Sequence, residues 1–201
     1  MEILYADMHI VVCVKPVGLD SEGDVPRSLS EVLEGAFYPV HRLDKNVGGV
    51  MVYARTKAAA AALSKSIQNN EMVKEYVALV HGTPPENGDW EDLLFKDSSK
   101  NKVFVVKRER RGVKKARLEF VRQTAANPAL VRIRLHTGRS HQIRVQFASR
   151  GYPLLGDHKY GARDDYSDPM LFSCKLTFPL FGKMHSYEAF PAWAIPQNIC
   201  T

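Results

Sequence analysis

Leu130-Val131-Arg132-Ile133-Arg134-Leu135 alternates apolar and charged side chains, the period of two that a half-exposed β-strand requires. Upstream, residues 103–106 and 116–122 read as two strands joined in a hairpin by the basic tip Lys107-Arg108-Glu109-Arg110-Arg111-Gly112-Val113-Lys114-Lys115. Residues 74–80 read as a further strand, and Pro84-Pro85-Glu86-Asn87-Gly88 as a turn. Residues 171–178 and 186–190 close the chain as strands. Towards the N-terminus, residues 3–5 and 9–14 are strands, the second stopped by Lys15-Pro16-Val17-Gly18 before a loop over 19–27. Ser28 with Glu31 three residues later, closed by Gly35, has the pattern of a capped helix. Residues 49–54 form a buried strand, and 56–69 an alanine-rich helix with Thr56 as its N-cap. Residues 141–147 are ambiguous. Ile143, Val145 and Phe147 alternate as in a strand, while Ile143 and Phe147 sit four apart as in a helix. These elements make an α+β protein with a mixed, mostly antiparallel sheet and few helices.

Composition limits the function classes. A chain of 201 residues with 45% hydrophobic and 25% charged residues is an ordinary globular protein, and the length fits one domain. Cys13, Cys174 and Cys200 lie far apart, without the pairing of a disulfide framework or a zinc cluster, and read as small buried hydrophobes. No leader pattern opens the chain and no run of 18 apolar residues occurs, which points to a cytoplasmic protein without a membrane partner. The net charge of +6 hides a strong asymmetry. Residues 101–150 hold 14 Lys and Arg against 2 Asp and Glu, leaving 14 basic and 20 acidic residues for the rest. A block so one-sided suits a polyanionic partner such as nucleic acid, although charge alone does not separate DNA, RNA and an anionic metabolite.

Three stretches offer chemistry. In His41-Arg42-Leu43-Asp44-Lys45 an aspartate stands between cations, which favour its ionised form, and an ionised carboxylate is a nucleophile or a base. A plain surface ion-pair cluster would have the same composition. In Leu135-His136-Thr137-Gly138-Arg139-Ser140-His141-Gln142-Ile143-Arg144, either Arg139 or Arg144 has the fork geometry to hold a carboxylate or phosphate. His136 and His141 lack a third ligand at metal spacing. Tyr76, in the strand after Lys74 and Glu75, is as readily a core residue as a functional one. No Walker A, G-x-G-x-x-G or G-x-S-x-G pattern occurs, so no nucleotide cofactor is indicated and Ser140 is a poor candidate nucleophile.

Four collinear motifs narrow these alternatives: Lys15-Pro16-Val17-Gly18, His41-Arg42-Leu43-Asp44, the run from Lys74 to Gly82, and the run from Arg134 to Gly161. Together they resemble the RluA-type pseudouridine synthases over nearly the whole chain. The resemblance implies an isomerase that converts a uridine in folded ribosomal or transfer RNA to its carbon-linked isomer, with no metal and no cofactor. It implies RNA rather than DNA as partner, and a monomer is the default state. By analogy Asp44 attacks the ribose or deprotonates it, Arg144 pairs with and orients that aspartate, and Tyr76 stacks on the base and serves in proton transfer. Arg42 resembles the residue that fills the space left by a flipped uridine. His41, Arg139 and His141 would lie along the substrate, with Lys107, Arg108, Arg110 and Arg111 on backbone phosphates. The segment 141–149 becomes a helix by the same analogy.

The chain departs from the family in two respects. Where the family usually has Thr-Ser-Gly after its Arg-Leu-Asp, this chain has Val47-Gly48-Gly49, so two hydroxyls that would brace the loop are missing. Many relatives also carry an N-terminal RNA-binding domain, whereas here the reading is one catalytic domain over 1–201 without it. Two rivals remain. An inactive RNA-binding module or RNA chaperone of the same fold has no need of Asp44, Tyr76 and Arg144 as a set. A base-excising glycosidase would ordinarily want a second carboxylate.

Overall fold

Strands arise where β-branched and aromatic residues run together, and two hydrophobic cores follow from them. The computed structural model describes residues 1–194. The chain divides into two compact units, one made of Met1–Lys74 with the residues from Phe172 onward, the other of Glu75–Leu171.

In the first unit, β1 (Glu2–Ala6) pairs antiparallel with β2 (Ile10–Lys15), and β2 pairs antiparallel with the wholly buried β4 (Gly48–Ala54). A short β3 (Tyr38–Pro39) adds to β4. The strand β10 (Leu171–Leu180) runs parallel to β4 through Phe172 and Ser173, and β11 (Lys183–Glu188) folds back on β10. Helix α2 (Lys57–Gln68) starts where expected, with Thr56 Oγ1 accepting from the Ala59 N–H at 3.2 Å. Its Ala59 and Leu63 bury against Ile10, Val12, Val50, Val52, Leu176 and Phe178.

Helix α1 (Asp24–Ser30) corrects the expected helix beginning at Ser28. Asp20 decides the start: its Oδ1 accepts from the Glu22 and Gly23 N–H groups, both at 2.8 Å, and turns the chain into the helix early. Pro26 then falls in the first turn, where a missing N–H costs nothing.

In the second unit the order is β5 (Val73–Val80), β9 (Ala129–Leu135), β8 (Val113–Arg122), β6 (Asn87–Asp97) and β7 (Lys102–Val106). The expected hairpin of residues 103–106 with 116–122 does not form. Strands β7 and β8 both pair antiparallel with β6 and flank it, so the basic tip is a crossover spanning β6. Strand β6 is the cause, and it begins inside what the sequence suggested was only a turn. Helix α3 (Gln142–Ala148) places Val145 against Leu94, Val103 and Ala116, while Phe147 packs on Trp90 and Phe120 at centroid distances of 4.7 and 5.2 Å. It corresponds to the helix that the family resemblance implied.

The parallel contact of β4 with β10 among antiparallel pairs, with three α-helices among the described residues, is the mixed α+β class expected. Cys13 and Cys174 are buried, as expected of small core hydrophobes, and Cys200 lies outside the described residues.

Candidate active site

Asp44 stands on a tight turn, where the Val47 N–H donates to the Asp44 carbonyl at 2.9 Å. Both neighbours of Asp44 are held by side chains from elsewhere in the first unit. On one side, Ser21 Oγ donates to the Leu43 carbonyl (2.9 Å) and accepts from the Leu43 N–H (3.1 Å). Ser21 is itself tied through its carbonyl to the buried Tyr53 hydroxyl at 2.9 Å. On the other side, the fully buried Lys15 donates through Nζ to the carbonyls of Pro16 (2.9 Å), Leu19 (2.8 Å) and Lys45 (3.2 Å). Burial lowers the Lys15 pKa to about 8, opposed by attraction to Asp20, Asp44 and Asp24. The bracing that Val47 and Gly48 do not offer thus comes from an ammonium and a different hydroxyl.

Gly49 then crosses β10 at φ +131°, where a Cβ would lie 2.5 Å from the Ser173 nitrogen and 2.7 Å from its Cα. Only glycine fits so close an approach. His41 accepts from the Val52 N–H through Nε2 at 3.1 Å. Burial, aided by the nearby Lys74, drops its pKa to about 3, so the imidazole is neutral. Arg42 is exposed and pairs with Glu22 at 3.1 Å.

The other candidates lie in the second unit. Tyr76 is a buried residue of β5. On α3, Arg144 forms a two-pronged ion pair with Asp157, Nε to Oδ2 and Nη2 to Oδ1 both at 2.7 Å, with both residues buried. Its guanidinium lies 5.2 Å from the centre of the Tyr160 ring. His141 adopts a left-handed conformation (φ 50°) just before α3, with its Nδ1 at 2.8 Å from the Tyr160 hydroxyl. Arg139 donates from Nε to the Lys115 carbonyl at 2.9 Å, and Gln142 Oε1 accepts from the Arg139 N–H at 3.0 Å.

Lys107, Arg108, Arg110 and Arg111 are all exposed on the crossover between β7 and β8. Arg110 lies 4.5 Å from the Phe95 ring centre on β6, so it pins the crossover to the strand beneath. Lys107, Arg108 and Arg111 present a dense positive edge that suits phosphate.

Lys15, Ser21, Asp157 and Tyr160 are side chains to which the sequence reading gave no role, although Lys15, Asp157 and Tyr160 fall within its family-like motifs. Lys15 ends the apolar run Ile10-Val11-Val12-Cys13-Val14 and opens the Lys15-Pro16-Val17-Gly18 motif, neither of which names its carbonyl partners. Asp157 lies within the run from Arg134 to Gly161, but nothing in that run pairs it with Arg144. No group of three or more His, Cys, Asp or Glu side chains fit to hold a metal occurs among the described residues. Chemically, the first unit offers a carboxylate on a rigid turn, and the second an arginine held in one orientation and a buried tyrosine.

Known proteins share this sequence and fold. Residues 9–149 match a family model described as RNA pseudouridylate synthase. The Dual-specificity RNA pseudouridine synthase RluA of Escherichia coli strain K12 is 36% identical over 203 residues, covering 93% of this chain and 91% of the relative. Ribosomal large subunit pseudouridine synthase C of Buchnera aphidicola is 30% identical over 175 residues, and there the chain spans only 54% of the relative. Among solved structures, human RNA Pseudouridylate Synthase Domain Containing 4 superposes with a TM-score of 0.81 at 26% identity, covering 96% of this chain and 90% of that one. Human RNA Pseudouridylate Synthase Domain Containing 1 shares the fold with a TM-score of 0.83 at 22% identity, covering 94% and 83%. The matched segment contains Asp44, Tyr76 and Arg144, and with the similarity extending over 93% of the chain to RluA, this protein belongs to the RNA pseudouridylate synthase family.

Proposed function

We propose that this chain isomerises a uridine to pseudouridine in structured ribosomal or transfer RNA, with Asp44 as the catalytic carboxylate. The observation that supports this most is the double bracing of the Asp44 turn, Leu43 by Ser21 and Lys45 by Lys15. A carboxylate attacking or deprotonating a ribose must be held in place before the substrate arrives, because orientation supplies much of such a rate. Tyr76 stacks on the flipped base and carries its proton, and Arg144 supplies a fixed positive charge. Arg42, at the entrance to the turn, occupies the gap left in the RNA stack. Arg139 and His141 flank the substrate strand, and His41 acts from beneath the loop through Val52. Lys107, Arg108 and Arg111 grip phosphates, with Arg110 anchoring their crossover. The enzyme works as a cytoplasmic monomer, needing no cofactor.

The test is incubation with RNA from a host strain lacking the protein, followed by carbodiimide mapping of pseudouridine. New marks with the wild type and none with Asp44→Asn establish the activity. No mark on any ribosomal or transfer RNA would sink it.

A further inference from the structure

The segment 156–168 carries more polar construction than a surface loop needs. Asp157 is fully buried and closes a parallel, two-pronged pair with Arg144 at 2.7 Å on both arms. Three residues later Tyr160 presents its ring to the same guanidinium at 5.2 Å. The Tyr160 hydroxyl accepts from the Val103 N–H on β7 at 2.9 Å and meets His141 Nδ1 at 2.8 Å. One tyrosine therefore ties the edge of the sheet, the left-handed residue that starts α3, and the arginine one turn into that helix.

The segment is itself held rigid. The Asp157 carbonyl accepts from the N–H groups of Tyr160 (2.9 Å) and Ala162 (3.1 Å). Asp164 accepts from the Gly156 N–H at 3.0 Å and pairs with His81 at 2.6 Å. His158 places both ring nitrogens on carbonyl oxygens, Ala162 at 3.2 Å and Tyr166 at 2.8 Å.

We propose that Asp157 and Tyr160 are positioning residues for Arg144, a function that rests on Arg144 belonging to the catalytic set. An arginine side chain has several rotatable bonds and a planar head whose direction matters. A bidentate carboxylate fixes the plane and consumes the Nε–Nη2 edge, and the tyrosine ring fixes the tilt. The guanidinium thus meets the reaction in one orientation, with its reorganisation already complete.

A double-mutant cycle on the full chain, with turnover on RNA and thermal melting measured for each variant, tests this. Asp157→Asn should lower kcat on the order of 10²-fold, the cost of a misplaced catalytic group, with KM for RNA nearly unchanged. In an Arg144→Ala background the same change should cost nothing further, since it acts only through the arginine. Tyr160→Leu, which removes the ring from the guanidinium, should lower kcat about tenfold by freeing the tilt of Arg144. Two results would overturn the proposal: Asp157→Asn that melts lower yet keeps its kcat, or losses that add in full in the double variant. If Asp157→Asn does not fold, an unchanged kcat in Tyr160→Leu overturns it instead. Unchanged turnover in Arg144→Ala alone would remove Arg144 from the catalytic set and this inference with it. Turnover lost in Arg144→Ala but retained in Asp157→Asn removes the inference only.

Discussion

Lys15 Nζ donates to the carbonyl of Lys45 at 3.2 Å, so a buried ammonium holds the residue that directly follows Asp44. The same Nζ reaches Pro16 and Leu19, which joins two loops through one charge. Replacement by methionine keeps the volume and leaves three carbonyls without that donor. Lys15→Met should cost about 1–3 kcal/mol of stability and lower kcat roughly tenfold or more through a looser turn. Urea unfolding with single-turnover kinetics checks both. A full-rate enzyme with reduced stability would make Lys15 purely structural.

Asp44→Asn is nearly isosteric and leaves the Ser21 and Lys15 contacts to the flanking backbone in place. Turnover should be abolished while RNA affinity stays within about twofold, because affinity rests on phosphate contacts elsewhere. Filter binding beside a carbodiimide assay separates the two. Lost binding would show that the carboxylate supports the fold.

The crossover separates its arginines by role. Lys107, Arg108 and Arg111 changed together to glutamine should flatten the dependence of log K on log salt by about 0.7–0.9 per lost phosphate contact. Arg110→Ala should instead release the crossover from Phe95, seen as faster proteolysis between Val106 and Val113. Equal salt slopes in wild type and triple variant would remove RNA from this edge.

His41 makes stability depend on pH in the acid range. Its folded pKa of about 3 lies below the ordinary value of 6.5. Between these values the unfolded chain binds a proton that the native state refuses, so stability falls as pH drops from 6.5 towards 3. His41→Gln, which can still accept from Val52, should show a shallower loss between pH 7 and 4.5 in urea unfolding. An unchanged pH slope would mean that His41 titrates normally.

Legibility followed the range of the interactions. Helix α2 was plain because its cap and apolar spacing are local, and β4, β5 and β9 because their runs are short and strongly patterned. Strand β6 was hidden: Asn87-Gly88-Asp89 reads as a turn, and Trp90, Leu93, Leu94 and Phe95 follow no single period. Missing it turned a crossover into a hairpin. The start of α1 was misplaced because Asp20 caps through a loop turn, and a capping-box pattern at Ser28 competed with it.

The candidate site shows the same division. The family motifs singled out Asp44, Tyr76 and Arg144, and the charge count alone located the cation block. All of this is carried by residue identity and order along the chain, so it survives without coordinates. The supports of the site are pairings across 30 residues for Lys15 and Lys45, 22 for Ser21 and Leu43, and 13 for Arg144 and Asp157. A lysine in a strand or an aspartate in a loop has no periodic signature of the partner it will meet. That partner is selected when strands pair and bury the side chain, since only then does an unsatisfied charge become costly enough to demand one. Tertiary structure therefore decided how the Asp44 turn and Arg144 are held, and in what order β8, β6 and β7 lie.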